Sequence, residues 1–353
     1  MTPQWLKTND MIKLFDKAEF TPDAFMKNLY ESRSVPYFEA NDAEKIKSVS
    51  ENIKNKLYSC LNLEEIPCKI ENIKTEKISS VKRKGYKVDT LKSEILDGFN
   101  MLSFVLVPDE IKGDAVVCLC GHGYGARQII RQSKNGRYRK INFFDNYQKN
   151  FGEALALEGH IVICPEFFGF GNSRLKSDLH KPFYISSCDT LSHHSLISGI
   201  SVASIRVYQA MKCVDILEKE YNCREFGCMG ISGGGLVTLY ASILDDRIEK
   251  ACVCGYINSF EKSVLSLWHC PDNYIPGILS IGEMKDFAAS AVPKKLMMEY
   301  GIKDKIFPLD ASREAAEFIK SIYEKCGCAE NFIPIEHKGK HEVYLPAALE
   351  FFK

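Results

Sequence analysis

The sequence predicts an α/β protein in which helices cover both faces of a mostly parallel sheet, with a helical extension at the N-terminus. Two observations carry this prediction. Short apolar runs alternate with longer helical stretches through most of the chain, which is the pattern of parallel strands joined by crossover helices. The first part of the chain instead shows helical periodicity without strand alternation.

The helical extension is predicted over residues 1–75, and the rest of the fold over residues 76–353. Its clearest helix has apolar side chains at helical spacing, at Ile46, Val49, Ile53 and Leu57. Either Asn41 or Asp42 is suited to cap the start of this helix, because a short polar side chain can accept an exposed backbone N–H.

The sheet is expected to open with an antiparallel hairpin. Residues 86–95 and 101–107 are both strand-like, and the segment between them contains Asp97-Gly98, a strong turn signal. Further strands are predicted at 115–120, 161–165, 226–229, 251–256, 296–300 and 332–335.

Helices are expected between these strands, and two connections are too long to be plain crossovers. The clearest helix, at 311–326, has one apolar stripe and ends before Gly327. The long connections cover about 167–197 and about 257–290. Long connections at one end of such a sheet usually form lids or pocket walls, so we expect both to line a pocket.

The composition excludes several classes of partner. The chain has 353 residues, and its 46 Lys and Arg residues balance 46 Asp and Glu residues. A balanced charge favours neither nucleic acid nor an anionic membrane surface. No apolar run approaches the roughly 20 residues of a membrane span, and the polar N-terminus does not resemble a secretory signal. We therefore expect a cytoplasmic protein with a small-molecule substrate; the oligomeric state stays open.

The 14 cysteines are spread along a chain long enough to bury a core, which favours reduced thiols over a disulfide framework. Three Cys-x-Cys pairs occur, and two of them lie in strand-like runs, where a spacing of two places both side chains on one face. Burial in the core is favoured over zinc binding for these pairs, since no Cys-x-x-Cys pair accompanies them. Neither a metal nor a cofactor is expected.

The segment Gly230-Ile231-Ser232-Gly233-Gly234 fits the pattern G-x-S-x-G and lies between a predicted strand and a predicted helix. A serine on such a sharp turn needs small neighbours, because the strand and helix approach closely. Its hydroxyl is then presented at a helix N-terminus, where backbone amides stabilise an oxyanion. The context indicates that Ser232 is a nucleophile rather than part of a flexible turn.

A nucleophilic serine needs a base and a carboxylate that orients the base. Asp304 is predicted in the loop after the strand at 296–300, and His341 in the loop ahead of the last helix. Asp310 and His337 are the alternatives. Asp310 is better suited to cap the helix at 311–326, and His337 lies so close to the strand that it has less loop with which to reach the serine.

Two backbone amides are predicted to form an oxyanion hole. The first is that of Gly233, directly after the nucleophile. The second is that of Tyr124, in the glycine-rich segment Gly121-His122-Gly123-Tyr124-Gly125 after the strand at 115–120. The alternative is a glycine-rich turn without a chemical role.

These motifs resemble the dienelactone-hydrolase and acetyl-xylan-esterase-like branch of the α/β-hydrolases, in particular its bacterial members. The resemblance covers about residues 80–353 and includes the segments 165–171, 268–277, 286–289 and 304–308. It implies an eight-stranded sheet in a hydrolase domain, a Ser-Asp-His triad, and ester cleavage without a cofactor. Glu166 departs from the aspartate of many relatives, and a serine nucleophile argues against dienelactone hydrolase activity itself. By this analogy, small acyl esters such as acetylated sugars are the expected substrates.

Two other functions stay open. A thioesterase or peptidase would use the same triad, and the basic run from Arg127 to Lys140 could hold an anionic substrate such as a CoA thioester, although charge runs usually face water. The alternative from a different class is a binding protein that keeps the fold without catalysis.

Overall fold

The computed structural model describes residues 21–33, 38, 42–66, 73–133, 137 and 146–353. The possible cap residue Asn41, the first twenty residues of the predicted extension, and the basic residues Lys134, Arg139 and Lys140 lie outside these ranges.

Two helices precede the sheet, α1 (Asp23–Arg33) and α2 (Ala43–Cys60). Asp42 caps α2 as one of the two expected residues, since its side chain accepts the Lys45 N–H at 2.9 Å. The predicted apolar stripe of α2 faces inward at Ile46, Ile53 and Leu57, which are buried.

The described residues form a nine-stranded sheet in the order β1-β2-β3-β5-β4-β6-β7-β8-β9. Pairing is antiparallel from β1 through β3 to β5 and parallel from β5 to β9. The strands are β1 (Lys74–Arg83), β2 (Tyr86–Leu96), β3 (Phe99–Pro108), β4 (Ala115–Leu119), β5 (Val162–Pro165), β6 (Phe226–Ile231), β7 (Ile248–Cys254), β8 (Lys295–Gly301) and β9 (Phe332–His337).

The sheet has nine strands instead of the expected eight, and the additional strand is β1. This strand lies at the antiparallel edge and nearly all of its residues are exposed, so it carries no alternation of apolar and polar residues. The hairpin and the six other predicted strands are confirmed. β4 and β6 are buried along their whole length, as expected for central parallel strands.

Helices connect the parallel strands and flank the sheet. They are α3 (Ala126–Ile129), α4 (Phe151–Glu158), α5 (Cys188–Ile197), α6 (Val202–Tyr221), α7 (Gly233–Leu244), α8 (Met284–Ala289), α9 (Leu309–Lys325) and α10 (Leu345–Phe352). None of the helices in the described part of the chain is long and apolar enough to cross a bilayer.

The prediction that Asp310 caps the helix at 311–326 is wrong. This helix, α9, begins at Leu309 and has Pro308 at its N-cap position. Asp310 is therefore inside the first turn, exposed, and accepts a hydrogen bond from Lys262 Nζ at 2.9 Å.

The expected burial of the strand cysteines is confirmed. Cys118, Cys252 and Cys254 are fully buried, and the Sγ atoms of Cys252 and Cys254 lie 3.7 Å apart on one face of β7. The cysteines among the described residues are free thiols.

Candidate active site

Ser232 lies on the turn between β6 and α7. Its backbone has φ 58° and ψ −124°, a conformation that costs energy for a residue with a Cβ and that persists because the surroundings enforce it. The Ser232 N–H donates to the carbonyl of Cys254 at 3.0 Å, which fastens the turn to the end of β7. The sharp strand-to-helix turn expected from the motif is therefore present.

The glycines around Ser232 differ in why they must be small. A Cβ on Gly234 would lie 2.1 Å from the carbonyl oxygen of Leu119, and one on Gly230 would lie 2.3 Å from that of Gly234. Both contacts are with backbone, which cannot move away cheaply. A Cβ on Gly233 would meet nothing closer than His122, at 3.8 Å. Close packing thus requires glycine at 230 and 234, whereas 233 faces more open space.

Asp304 and His341 are joined by a hydrogen bond between Asp304 Oδ2 and His341 Nδ1 at 2.7 Å. The other carboxylate oxygen accepts the N–H groups of Ile306 and Phe307, at 2.8 and 3.1 Å. Because each oxygen has its own donor, the carboxylate is fixed in place and sets the orientation of the imidazole.

The histidine ring lies near two aromatic rings that are almost parallel to it, those of Tyr147 and Phe307, with centroids 5.8 and 5.6 Å away. A Cβ on Gly255 would lie 3.0 Å from the ring, and Gly255 directly follows Cys254, the residue that binds the Ser232 amide. His341 Nε2 is buried and has no hydrogen-bond partner among the described residues. One ring nitrogen is thus bound to Asp304 while the other can accept a proton beside the serine turn.

The alternative residues are elsewhere. Asp310 binds Lys262 at the surface. His337 is buried, accepts the Gly339 N–H at Nδ1 and stacks on the ring of Tyr344. The structure therefore brings together Asp304 and His341, and neither alternative joins them.

The two predicted oxyanion donors differ in their surroundings. Gly233 is the first residue of α7, where a backbone N–H has no acceptor within the helix. The Tyr124 N–H instead donates to Gln128 Oε1 at 3.2 Å. For Tyr124 to serve as a donor, this hydrogen bond must be shared with the oxyanion or broken when substrate binds.

Glu166 fixes the glycine-rich loop that carries Tyr124. Its buried carboxylate accepts the N–H groups of Ala126 and Asn172, at 3.2 and 3.3 Å, and lies 3.9 Å from Arg127 Nε. Burial raises the pKa of Glu166 to about 7. Glu166 thus connects the loop after β4 with the loop after β5. Arg127, the first residue of the basic run, faces this internal carboxylate instead of water.

Both long connections reach the neighbourhood of the site. The ring of Tyr124 lies near those of Phe183 and Tyr184, from the connection at 167–197, with centroids 6.3 and 6.0 Å away. From the connection at 257–290, His269 lies 6.0 Å from the ring of Phe307.

Sequence reasoning missed a second polar cluster, which we call the His122 cluster: His122, Cys188, Arg206, Cys270 and Asp272. His122 Nε2 lies 3.1 Å from Asp272 Oδ2, and Arg206 pairs with the same carboxylate. His122 belonged to a recognised motif, but the other members come from long connections and a helix without a spacing signature.

No protein-family model matches the chain. The chain is 20% identical over 283 residues to YtaP of Bacillus subtilis, a protein named as a hydrolase, and the match covers 78% of this chain and 87% of YtaP.

Among solved structures, a Bacteroides fragilis protein named as an acetyl xylan esterase is similar with a TM-score of 0.76 at 13% identity, over 92% of this chain and 84% of that one. A methylesterase is similar with a TM-score of 0.66 at 19% identity, over 88% of this chain and 64% of that one. A glucuronoyl esterase from Solibacter usitatus is similar with a TM-score of 0.61 at 13% identity, over 84% of this chain and 90% of that one. The chain has the α/β-hydrolase fold of these proteins.

Proposed function

We propose that this α/β-hydrolase-fold chain is a serine hydrolase that cleaves carboxylic esters through an acyl-enzyme. Ser232 is the nucleophile, His341 the general base and Asp304 the carboxylate that orients it. The observation that carries the proposal is the Asp304–His341 hydrogen bond, with His341 Nε2 buried next to the serine turn and without a hydrogen-bond partner among the described residues.

The first half-reaction forms the acyl-enzyme. His341 Nε2 takes the Ser232 proton as Oγ bonds to the ester carbonyl carbon, and the carbonyl π electrons move to the oxygen. The Gly233 N–H, with that of Tyr124 once it is released from Gln128, stabilises this oxyanion. When the tetrahedral intermediate collapses, the C–O bond to the alcohol breaks and His341 returns the proton to the leaving alkoxide.

The second half-reaction repeats these steps with water. His341 deprotonates the water as it attacks the acyl carbon, and the proton then returns to Ser232 Oγ as the acid leaves. His341, which activates Ser232 in the first half-reaction, thus also activates the water that releases the acyl group in the second.

The proposed substrates are small acyl esters of sugars, such as acetylated sugars. One structural relative is named as an acetyl xylan esterase, which supports this class, and two others are named as a methylesterase and a glucuronoyl esterase, which support ester cleavage more generally. The aromatic rings of Tyr124, Phe183 and Tyr184 lie together beside the predicted oxyanion donor and offer apolar surface on which a substrate could pack.

The test is hydrolysis of p-nitrophenyl esters from acetate to octanoate by the wild type, Ser232→Ala and a matched control, Ser321→Ala. Ser321 donates to the Phe318 carbonyl on α9, away from the site. We expect Ser232→Ala to lower kcat by about 10⁴-fold or more with an unchanged fold, and the control to match the wild type. An optimum at acetate would support the small acyl pocket.

A folded Ser232→Ala variant with nearly normal activity would overturn the proposal. If the wild type cleaved none of the esters but turned over CoA thioesters or peptides, the same triad would belong to a thioesterase or a peptidase.

A further inference from the structure

The His122 cluster brings together four side chains that can each bind a metal. A ring nitrogen of His122, the Sγ atoms of Cys188 and Cys270, and a carboxylate oxygen of Asp272 all lie within 4.8 Å of one another. We propose that these four side chains bind one Zn²⁺ ion as a closed, structural site. The proposal does not depend on the proposed esterase function.

The donor set and its spacing fit zinc. Zn²⁺ is bound tetrahedrally by cysteine, histidine and carboxylate side chains in proteins. With ligands at about 2.0 Å, a nitrogen and an oxygen in a tetrahedron are about 3.3 Å apart. The 3.1 Å between His122 Nε2 and Asp272 Oδ2 matches this separation. His122 Nε2 is buried, and its ion-pair contact with Asp272 is not a well-directed hydrogen bond in the described part of the chain, so a metal ion between the two atoms would satisfy both.

The residues around the four ligands hold them as the outer shell of a metal site does. Arg206 donates through Nη2 to Cys188 Sγ at 2.9 Å and also pairs with Asp272. Asn273 Nδ2 donates to the other Asp272 oxygen at 2.9 Å. Such contacts fix ligand orientation and tune the metal.

The charges of this arrangement balance. Two thiolates and one carboxylate carry three negative charges, and Zn²⁺ with the Arg206 guanidinium carries three positive charges. Binding releases to solvent every proton that the ligand atoms carry, so both cysteines bind as thiolates and His122 binds as a neutral ring. A buried cluster without net charge avoids the desolvation cost of an unpaired ion.

The metal-free alternative is an ion-pair network of the same side chains. In that state Asp272 raises the pKa of His122 to about 9, although burial alone would lower it. The experiment must therefore separate a zinc site from a set of paired charges.

The position of the site indicates its role. Its ligands join the loop after β4, the first residue of α5 and the segment just before and within the turn Pro271–Asn273. Zinc would thus fasten both long connections to the loop that carries Tyr124. Four protein ligands leave no open position, so the metal positions the pocket walls and does not contact substrate.

The first experiment measures zinc by mass spectrometry in the full chain purified without added metal or chelator, and again after loading and dialysis. The variants are Cys188→Ser and Cys270→Ser, with Cys213→Ser as the matched control, since Cys213 is also buried but lies outside the cluster. We expect about one zinc per chain in the loaded wild type and the control, and below about one fifth of that in both cluster variants.

A second measurement uses the wild type alone, so its result does not depend on whether the cysteine variants fold. Replacing the metal with Co²⁺ should give the absorption bands of tetrahedral cobalt bound by thiolate, and a chelator should lower the melting temperature by about 5 °C or more. A loaded wild type that keeps no zinc and gives no cobalt–thiolate bands would overturn the proposal in favour of the ion-pair network. Equal zinc in the cluster variants and the control would also overturn it. Neither readout needs a substrate, so failure here leaves the esterase proposal intact.

Discussion

The Asp304–His341 pair and the His122 cluster both adjoin the serine turn, but they differ in what satisfies their polar atoms. His341 packs beside Gly255, and His122 faces Gly233. In the first, Asp304 binds one ring nitrogen of His341, and the other nitrogen has no hydrogen-bond partner within the part of the chain that the structure describes. In the second, Arg206 and Asn273 bind the acidic members from outside. An imidazole oriented by a carboxylate beside the serine turn indicates chemistry, whereas acidic side chains that Arg206 and Asn273 hold from outside indicate a structural role.

The sharpest test of this contrast is Asp304→Asn, which should lower kcat by about 10³- to 10⁴-fold while changing the melting temperature little. Asparagine keeps the oxygen that accepts from Ile306 and Phe307 but cannot hold the imidazole in the required tautomer. The control is Asp310→Asn at an exposed carboxylate that pairs with Lys262, which should stay within twofold of the wild type. Comparable losses in the two variants would break the contrast.

Arg206→Met should instead lower the stability of the fold more than it lowers the rate of catalysis. Arg206 is 2% exposed, and its removal leaves the buried Asp272 carboxylate without the guanidinium that pairs with it. The free energy of unfolding in urea should fall by about 3–5 kcal/mol. Arg224→Met, at an exposed position, is the control and should change stability by less than about 0.5 kcal/mol. A stable Arg206→Met variant would show that the cluster does not support the fold.

The serine turn itself gives a matched pair of substitutions. Gly234→Ala should destabilise the protein by about 3 kcal/mol or more, because its Cβ would lie 2.1 Å from the Leu119 carbonyl oxygen. A Cβ on Gly233 would lie 3.8 Å from the nearest atom, in His122, so Gly233→Ala should keep near-normal stability. Thermal unfolding of both variants measures the difference, and equal melting temperatures would contradict the described packing of the turn.

The smallest expected effect concerns pH. Burial raises the pKa of Glu166 to about 7, from about 4.5 in an unfolded chain, so the folded state binds more protons between these values. The contribution of Glu166 to stability is therefore fully present below about pH 4.5 and is lost as pH rises to about 7, at up to about 1 kcal/mol per pH unit.

Glu166→Gln should flatten this part of the profile, and Glu330→Gln, at an exposed position, should leave it unchanged. Burial also raises the pKa of Glu299 to about 7, so the stability of both variants should still fall to some extent as pH rises. If the stability of Glu166→Gln fell more steeply with pH than that of the wild type, the predicted direction of the Glu166 effect would be wrong.

Sequence reasoning succeeded where a signal is local. The sharp turn at Ser232 and the apolar strands each follow from a pattern within a short segment. It failed for β1, since an edge strand with nearly all residues exposed has no apolar alternation to detect. It also placed a cap at Asp310, because a short carboxylate near a helix start is a common cap and the actual start at Leu309 lies two residues before the predicted one.

The contacts between distant segments were not predictable in this way. The hydrogen bond between the Tyr124 amide and Gln128 depends on how the loop after β4 folds back on itself. The His122 cluster joins residues from three regions that are far apart in sequence, so no Cys-x-x-Cys or His-x-x-x-His spacing announces it. Sites built from long connections become visible only when the fold brings the segments together.

The most direct test of the central claim is labelling with a fluorophosphonate that reacts with activated serines, followed by peptide mapping of the wild type and His341→Asn. We predict one adduct per wild-type chain, at Ser232, and at least about a hundredfold slower labelling in His341→Asn, because the base that activates the hydroxyl is missing. An unlabelled wild type, or an adduct at another serine, would contradict the assignment of Ser232 as the nucleophile.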